Sequence, residues 1–323
     1  MNSVKANIWR GIYLLLGITL IGLVIVTGTY GLDQADRDIY EMAMELDDAA
    51  DGFGFRGFSV KDYHIRISNG RVDYVMWDGA WEKEPAAFDT LVATAQEIDG
   101  AYQVILPSYR AFSDFLQSME TFATLSEGGG SFSSETYSPE AHAATLWHEA
   151  FHAWQFSRFE DDMTGFMVGT ALGEASPESV IGSKVDPNKG YMQSLENEVN
   201  YLYRAYSAEN REDILSWLRL ALDEETQRRN RLDEEAVAAE QYLEMVEGTA
   251  RYVESLVYRE LTDTDAWRTA YLTEGELSGG ADKYYTIGML KCLLLDRLLP
   301  GWQDSFVLPV DLSQALEDAM QTK

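Results

Sequence analysis

Of cysteine the chain has one, of histidine four and of lysine eight, in 323 residues. The lone Cys292 excludes any intramolecular disulfide and any CxxC metal site. It lies in the largely apolar run Leu290–Leu295, which makes it a core residue rather than a reactive thiol. Basic residues are outnumbered, 25 against 54 acidic ones, and the formal charge is -29. No acidic residue precedes Asp33, so residues 33–323 carry 23 basic and 54 acidic side chains, a net of -31. Such a field repels nucleic acid and anionic membrane surfaces and argues against both as partners. The acids are spread along the whole chain, a pattern suited to solubility in high salt, where repulsion is screened. The functional alternative is a field that attracts basic peptides.

Against that scarcity of histidine, two of the four stand in Trp147-His148-Glu149-Ala150-Phe151-His152, which contains His-Glu-x-x-His. Residues four apart share a helix face, so both imidazoles can reach one metal ion. Glu149 is rotated away from the first ligand, towards a water on that metal. Zinc lowers the pKa of such a water, and a neighbouring carboxylate can take its proton during attack on a carbonyl. His142 is six residues before His148 and points to a different face, and His64 sits in a predicted strand as an ordinary half-buried residue; neither is expected to bind metal.

A catalytic zinc takes three protein ligands and keeps one open position. The metzincin pattern is excluded, because Gln155 and Arg158 occupy the places of its glycine and third histidine. A glutamate from a later segment remains, and two compete. Glu174 follows His152 by 22 residues, in a stretch with Gly173 and Pro177 that disfavours a long helix. Glu247 follows by 95, and Gly248 and Ala250 beside it are small enough for close approach to the motif helix. Glu240, Glu244, Glu247, Arg251 and Glu254 form a stripe at helical spacing, more acidic than a buried face tolerates without partners. The basic cluster Arg228, Arg229 and Arg231 reads as ion pairs with neighbouring acids rather than an anion site.

Over Ser138 to Trp302 the chain resembles a family of poorly characterised gluzincin-like metallopeptidases, in which HExxHxxQ is followed much later by EGxAxYxE. The matching residues are His148, Glu149, His152 and Gln155, then Glu247, Gly248, Ala250, Tyr252 and Glu254, and further on Tyr285, Gly288, Leu295-Asp296 and Pro300-Gly301-Trp302. The resemblance implies a zinc ion held by His148, His152 and Glu247, with Glu149 as general base. Tyr285 could donate to the oxyanion that develops in amide hydrolysis, as tyrosines do in related enzymes, and could equally be a packing residue. Gln155 could hold a hydrogen bond behind His152 or lie on the surface. The activity implied is peptide-bond hydrolysis on a peptide or protein substrate. The alternative is a zinc-bound or metal-free surface or interaction protein without proteolytic activity.

The uncharged stretch Gly11–Leu32 is 22 residues long, and a bilayer core needs about 20 in a helix. Lys5 and Arg10 precede it and Asp33, Asp36 and Asp38 follow, so residues 1–32 are expected to be a cytoplasmic tip and membrane anchor, with residues 33–323 outside. A cleaved signal peptide, with Val26-Thr27-Gly28 at the cleavage site, would instead make the protein secreted.

The expected fold class is α+β and mostly helical: a transmembrane helix, a small antiparallel N-terminal sheet, then a helical gluzincin-like metallopeptidase domain. Asp33–Ala50 reads as a helix. Tyr63–Ser68 and Arg71–Trp77 alternate around Asn69-Gly70 as a hairpin. Ala86–Ile98 reads as a helix, Tyr102–Leu106 as a strand and Tyr109–Ala123 as a helix. Gly128–Ser134 reads as a loop or an irregular strand, and could present an edge to an extended peptide. Ser138, Pro139 and Glu140 start the motif helix, expected to end near Phe159. Gly165 to Gly190 reads mainly as loop. Tyr191–Leu261 should form two or three helices, with further helices over Lys283–Leu299 and Asp311–Met320.

Overall fold

The computed structural model describes residues 31–88, 91–125, 137–173, 175–272, 277 and 280–322. The proposed anchor falls outside them except for Gly31 and Leu32, and Glu174 and the Gly128–Ser134 segment lie outside them too. Among the described residues no helix is long and apolar enough to cross a membrane. The chain divides into two compact units: residues 1–45 with 61–149, and residues 46–60 with 150–323.

The first unit contains a five-stranded sheet in the order β3-β2-β1-β5-β4, with β1 His64–Ser68, β2 Val72–Trp77, β3 Ala80–Pro85, β4 Thr94–Ile98 and β5 Ala101–Pro107. The β1–β2 hairpin forms as expected. Asn69 Oδ1 accepts from the backbone N–H groups of Arg71 and Val72 at 3.0 Å each, closing the turn. The sheet is mixed rather than antiparallel, because β5 runs parallel to β1 along its free edge. That pairing buries Val104, Ile105 and Leu106 beside Ile65 and Ile67. On the opposite face of β1, Arg66 is buried against Gln103 at 2.6 Å and Glu84 at 2.8 Å.

The helix expected over Ala86–Ile98 does not form; its described residues have no regular secondary structure until β4, which pairs with β5. The turn chemistry decides otherwise. Asp99-Gly100, with φ of 54° and 82°, turns β4 into β5, and Asp78-Gly79, with φ of 45° and 83°, turns β2 into the unexpected strand β3. Positive φ at both central residues matches the twist of flanking antiparallel strands, and Asp-Gly adopts it readily.

Helix α1, Gln34–Ala50, packs Ile39 and Ala43 into the interior, and α2 is Tyr109–Leu125. Asp36 joins them by accepting from the Tyr109 N–H at 2.8 Å, and its burial pushes its carboxyl up to about 6. The motif helix α3 is Pro139–Gly169, started by Ser138, whose hydroxyl oxygen accepts from the Ala141 N–H at 3.2 Å. Its expected end coincides with a kink at Phe159 (φ -124°), beyond which the helix resumes.

The second unit is helical. After the short α4, Pro177–Val180, and a wide turn at Ile181–Val185, come α5 Lys189–Ser207, α6 Arg211–Arg229, α7 Glu234–Leu261, α8 Thr264–Tyr271, α9 Asp282–Leu298 and α10 Leu312–Gln321. Helix has therefore replaced much of the loop expected between Gly165 and Gly190. Helix α8 was not anticipated, although Asp263 signals it by capping the Ala266 N–H at 2.8 Å. Asn210, Asp233 and Asp311 cap α6, α7 and α10 in the same way. Phe55, Phe151, Trp154, Trp302 and Phe306 form an aromatic cluster with Phe55 at its centre.

Helices α7 and α9 cross in backbone contact. A Cβ on Gly248 would lie 2.5 Å from Gly288 Cα, and one on Gly288 would lie 2.7 Å from Gly248 Cα. The small residue beside Glu247 thus serves the crossing with α9, where the sequence had suggested an approach to the motif helix.

Candidate metal centre

The division into units passes through α3 between Glu149 and Ala150, yet the helix is continuous there, so one helical turn sets His148 against His152. One ligand atom from each of His148, His152 and Glu247 lies within 4.8 Å of the other two. Both imidazoles are buried, and Glu149, which follows the first, is 9% exposed. Glu247 is brought to His152 by α7, with Oε2 3.1 Å from Nε2.

Hydrogen bonding determines what the two groups present to each other. Gln155 is fully buried one turn beyond His152. Its amide nitrogen lies 3.2 Å from the Val246 carbonyl, which can only accept, and 2.8 Å from Thr249 Oγ1. The Thr249 hydroxyl itself donates to the Met245 carbonyl at 2.6 Å, so it accepts from Gln155. Gln155 Oε1 must then face His152 Nδ1, at 2.8 Å, and that nitrogen carries the proton. In the neutral ring Nε2 is left as a lone pair, directed at a carboxylate oxygen. Two acceptors at 3.1 Å are compatible only with a shared proton or a cation near both. A donor set of two imidazoles and one carboxylate is one that zinc accepts, and the geometry fits that ion.

Tyr285, on α9 three residues before the Gly288 crossing, hydrogen-bonds Glu247. Burial, then the Glu247 charge, pushes its phenol up, so it stays a donor at neutral pH. The structure thus brings Glu247 and Tyr285 to His152 and Gln155, with His148 and Glu149 buried on the preceding turn of the same helix.

The remaining histidines lie elsewhere. His64, half-buried in β1, rests against the Trp77 ring. His142 is buried, with Nδ1 2.6 Å from the Tyr137 hydroxyl and a further hydrogen bond to the backbone of Pro107. The acidic stripe on α7 finds partners: Glu254 pairs with Arg251, while Glu240 and Glu244 meet Arg228 and Arg229. Cys292 is buried, and burial raises its thiol.

No protein-family model, curated protein or solved structure matches this chain.

Proposed function

We propose that the chain is a zinc-dependent metallopeptidase of the gluzincin type, held at the membrane by Gly11–Leu32 with residues 33–323 outside the cytoplasm. The observation that carries this reading is the placing of His152 Nε2 3.1 Å from Glu247 Oε2, with His148 one turn away. His148, His152 and Glu247 would hold the ion. When bound, zinc supplies the charge that polarises a scissile carbonyl and acidifies a water. The Glu149 carboxylate would accept the proton released in attack and pass it to the leaving amine. The Tyr285 hydroxyl, kept protonated, would turn its hydrogen from Glu247 to the developing oxyanion. A peptide or protein is the substrate class.

The decisive experiment measures zinc content and peptide hydrolysis on the same preparations. One zinc per chain is expected in the wild type and in Glu149→Gln, with little zinc in Glu247→Ala. Hydrolysis should survive only in the wild type. A wild type that takes up no zinc at neutral pH would overturn the reading. Zinc without hydrolysis of any peptide in a mixed library would make the centre structural.

A further inference from the structure

Seven ionisable side chains meet inside the helical unit, apart from the candidate ligands. The Arg228 guanidinium holds Glu240 through Nε and Nη2, at 3.2 Å each, and reaches Glu198 through Nη1 at 2.5 Å. The Lys291 ammonium lies 2.7 Å from Glu244, 3.2 Å from Glu225 and 3.4 Å from Glu198, with the Ser313 hydroxyl at 2.9 Å. Arg229 bridges the two groups, pairing with Glu225, with Glu244 at 2.8 Å and with Glu240 at 3.3 Å. Tyr284 donates to Glu240 at 2.7 Å, and the nearby Lys283–Asp186 pair adds no net charge.

Four carboxylates, from α5, α6 and α7, therefore face three cations, from α6 and α9. Only Arg229, at 14%, is more than slightly exposed. One negative charge is left over where water is excluded, and such a site takes up a proton rather than keep the charge. Glu198, Glu225 and Glu244 also bring oxygens within 4.8 Å of one another, and Glu198 Oε1 accepts no hydrogen bond among the described residues.

We propose that this cluster holds one proton in the folded protein in weak acid and releases it as the pH rises past neutrality, loosening the packing of α5, α6, α7 and α9. Burial pushes the Glu244 carboxyl up to about 7; Lys291 and Arg229 offset part of that, and Glu225 and Glu198 add to it. Glu225 moves the other way, to about 2, because Lys291 and Arg229 outweigh its burial. The proton belongs to the cluster, not to one member. An unfolded glutamate loses its proton near 4.5, whereas the cluster keeps one until about 7. Unfolding between those values releases a proton, so stability falls as pH rises through the window and levels off above it. Glu244 is one turn from Glu247, and Tyr284 adjoins Tyr285. Any effect on zinc rests on the metallopeptidase reading; the proton does not.

The test is urea unfolding of the full chain with chelator present, from pH 5.5 to 9, for the wild type and Glu198→Gln. Over this range the cluster should lower the wild-type folding constant roughly 30-fold, and the glutamine variant, with its cluster neutral throughout, should lack that part of the fall. The pH 6-minus-pH 9 infrared difference spectrum of the native wild type should show a protonated-carboxyl carbonyl band beyond the one that Asp36 and Asp296 leave in Glu198→Gln. The same pH dependence in both proteins, or no such band, would overturn the proposal. If Glu198→Gln does not fold, Glu244→Gln, which removes the same surplus charge, takes its place in both measurements.

Discussion

Gln155 determines which nitrogen of His152 faces Glu247, and it does so because its amide nitrogen is committed to α7. Gln155→Leu would leave the His152 Nδ1–H without that acceptor and release the ring's tautomer. Zinc affinity should drop about 10- to 100-fold, read by competition with a chromophoric chelator; an unchanged affinity would deny the role. With four histidines in the chain, 15N-histidine spectra of metal-free protein should show the tautomer change directly. His142 makes a different prediction. Its burial, opposed only by the Pro107 hydrogen bond, holds it down at about 4, so it stays neutral in the fold. Unfolded histidine takes a proton below about 6.5. The contribution of His142 is thus full above pH 6.5 and is lost as pH falls towards 4, on the order of 3 kcal/mol. His142→Phe should show a correspondingly shallower loss of stability between pH 6.5 and 4.5 in chemical denaturation. The His-Glu-x-x-His residues were legible because helical periodicity alone sets their spacing. Gln155 was legible only as a residue at the right distance, since its partners Val246 and Thr249 lie more than 90 residues on.

At the scale of elements, the crossing of α7 and α9 sets where Glu247 and Tyr285 meet. Gly248→Ala would place a methyl group 2.5 Å from the Gly288 backbone, where neither helix offers a flexible side chain to move aside. Urea unfolding should register a loss of about 2–3 kcal/mol, and zinc binding should weaken with it. Gly165→Ala, on the exposed side of α3 with nothing near its Cβ, should instead stabilise by about 0.5–1 kcal/mol. A Gly248→Ala protein as stable as the wild type would mean that the two helices can separate freely. Most helices and the first hairpin were readable from periodicity, caps and Asn-Gly. The region 86–98 was misread because short apolar spacing fits helix and strand alike, whereas Asp78-Gly79 and Asp99-Gly100 carried the hairpin signal. That β5 would pair parallel to β1 was not readable, because nothing local distinguishes which edge a strand joins.

Across the whole molecule, the net charge of -29 makes self-repulsion a general cost of compactness. Sodium chloride raised from ~0.05 to ~1 M should increase the urea midpoint progressively, because the screening length shortens several-fold over that range. A midpoint insensitive to salt would mean that the acids act through local pairs instead. Buried pairs such as Arg228–Glu240 should contribute little to the salt response, since screening ions do not reach them.

The sequence by itself determined that His148, Glu149 and His152 share one turn of a helix, the helical character of the second half and the sign of the surface field. Each of these depends on neighbours within a few residues or on composition summed over the chain. Only the tertiary structure decided that Glu247 meets His152, that Tyr285 joins them, and that Gly248 faces Gly288. It alone turned a stripe of acids and a basic cluster into a buried network with one charge to spare. Those pairings depend on how distant helices cross, and the packing of many side chains at once sets that geometry.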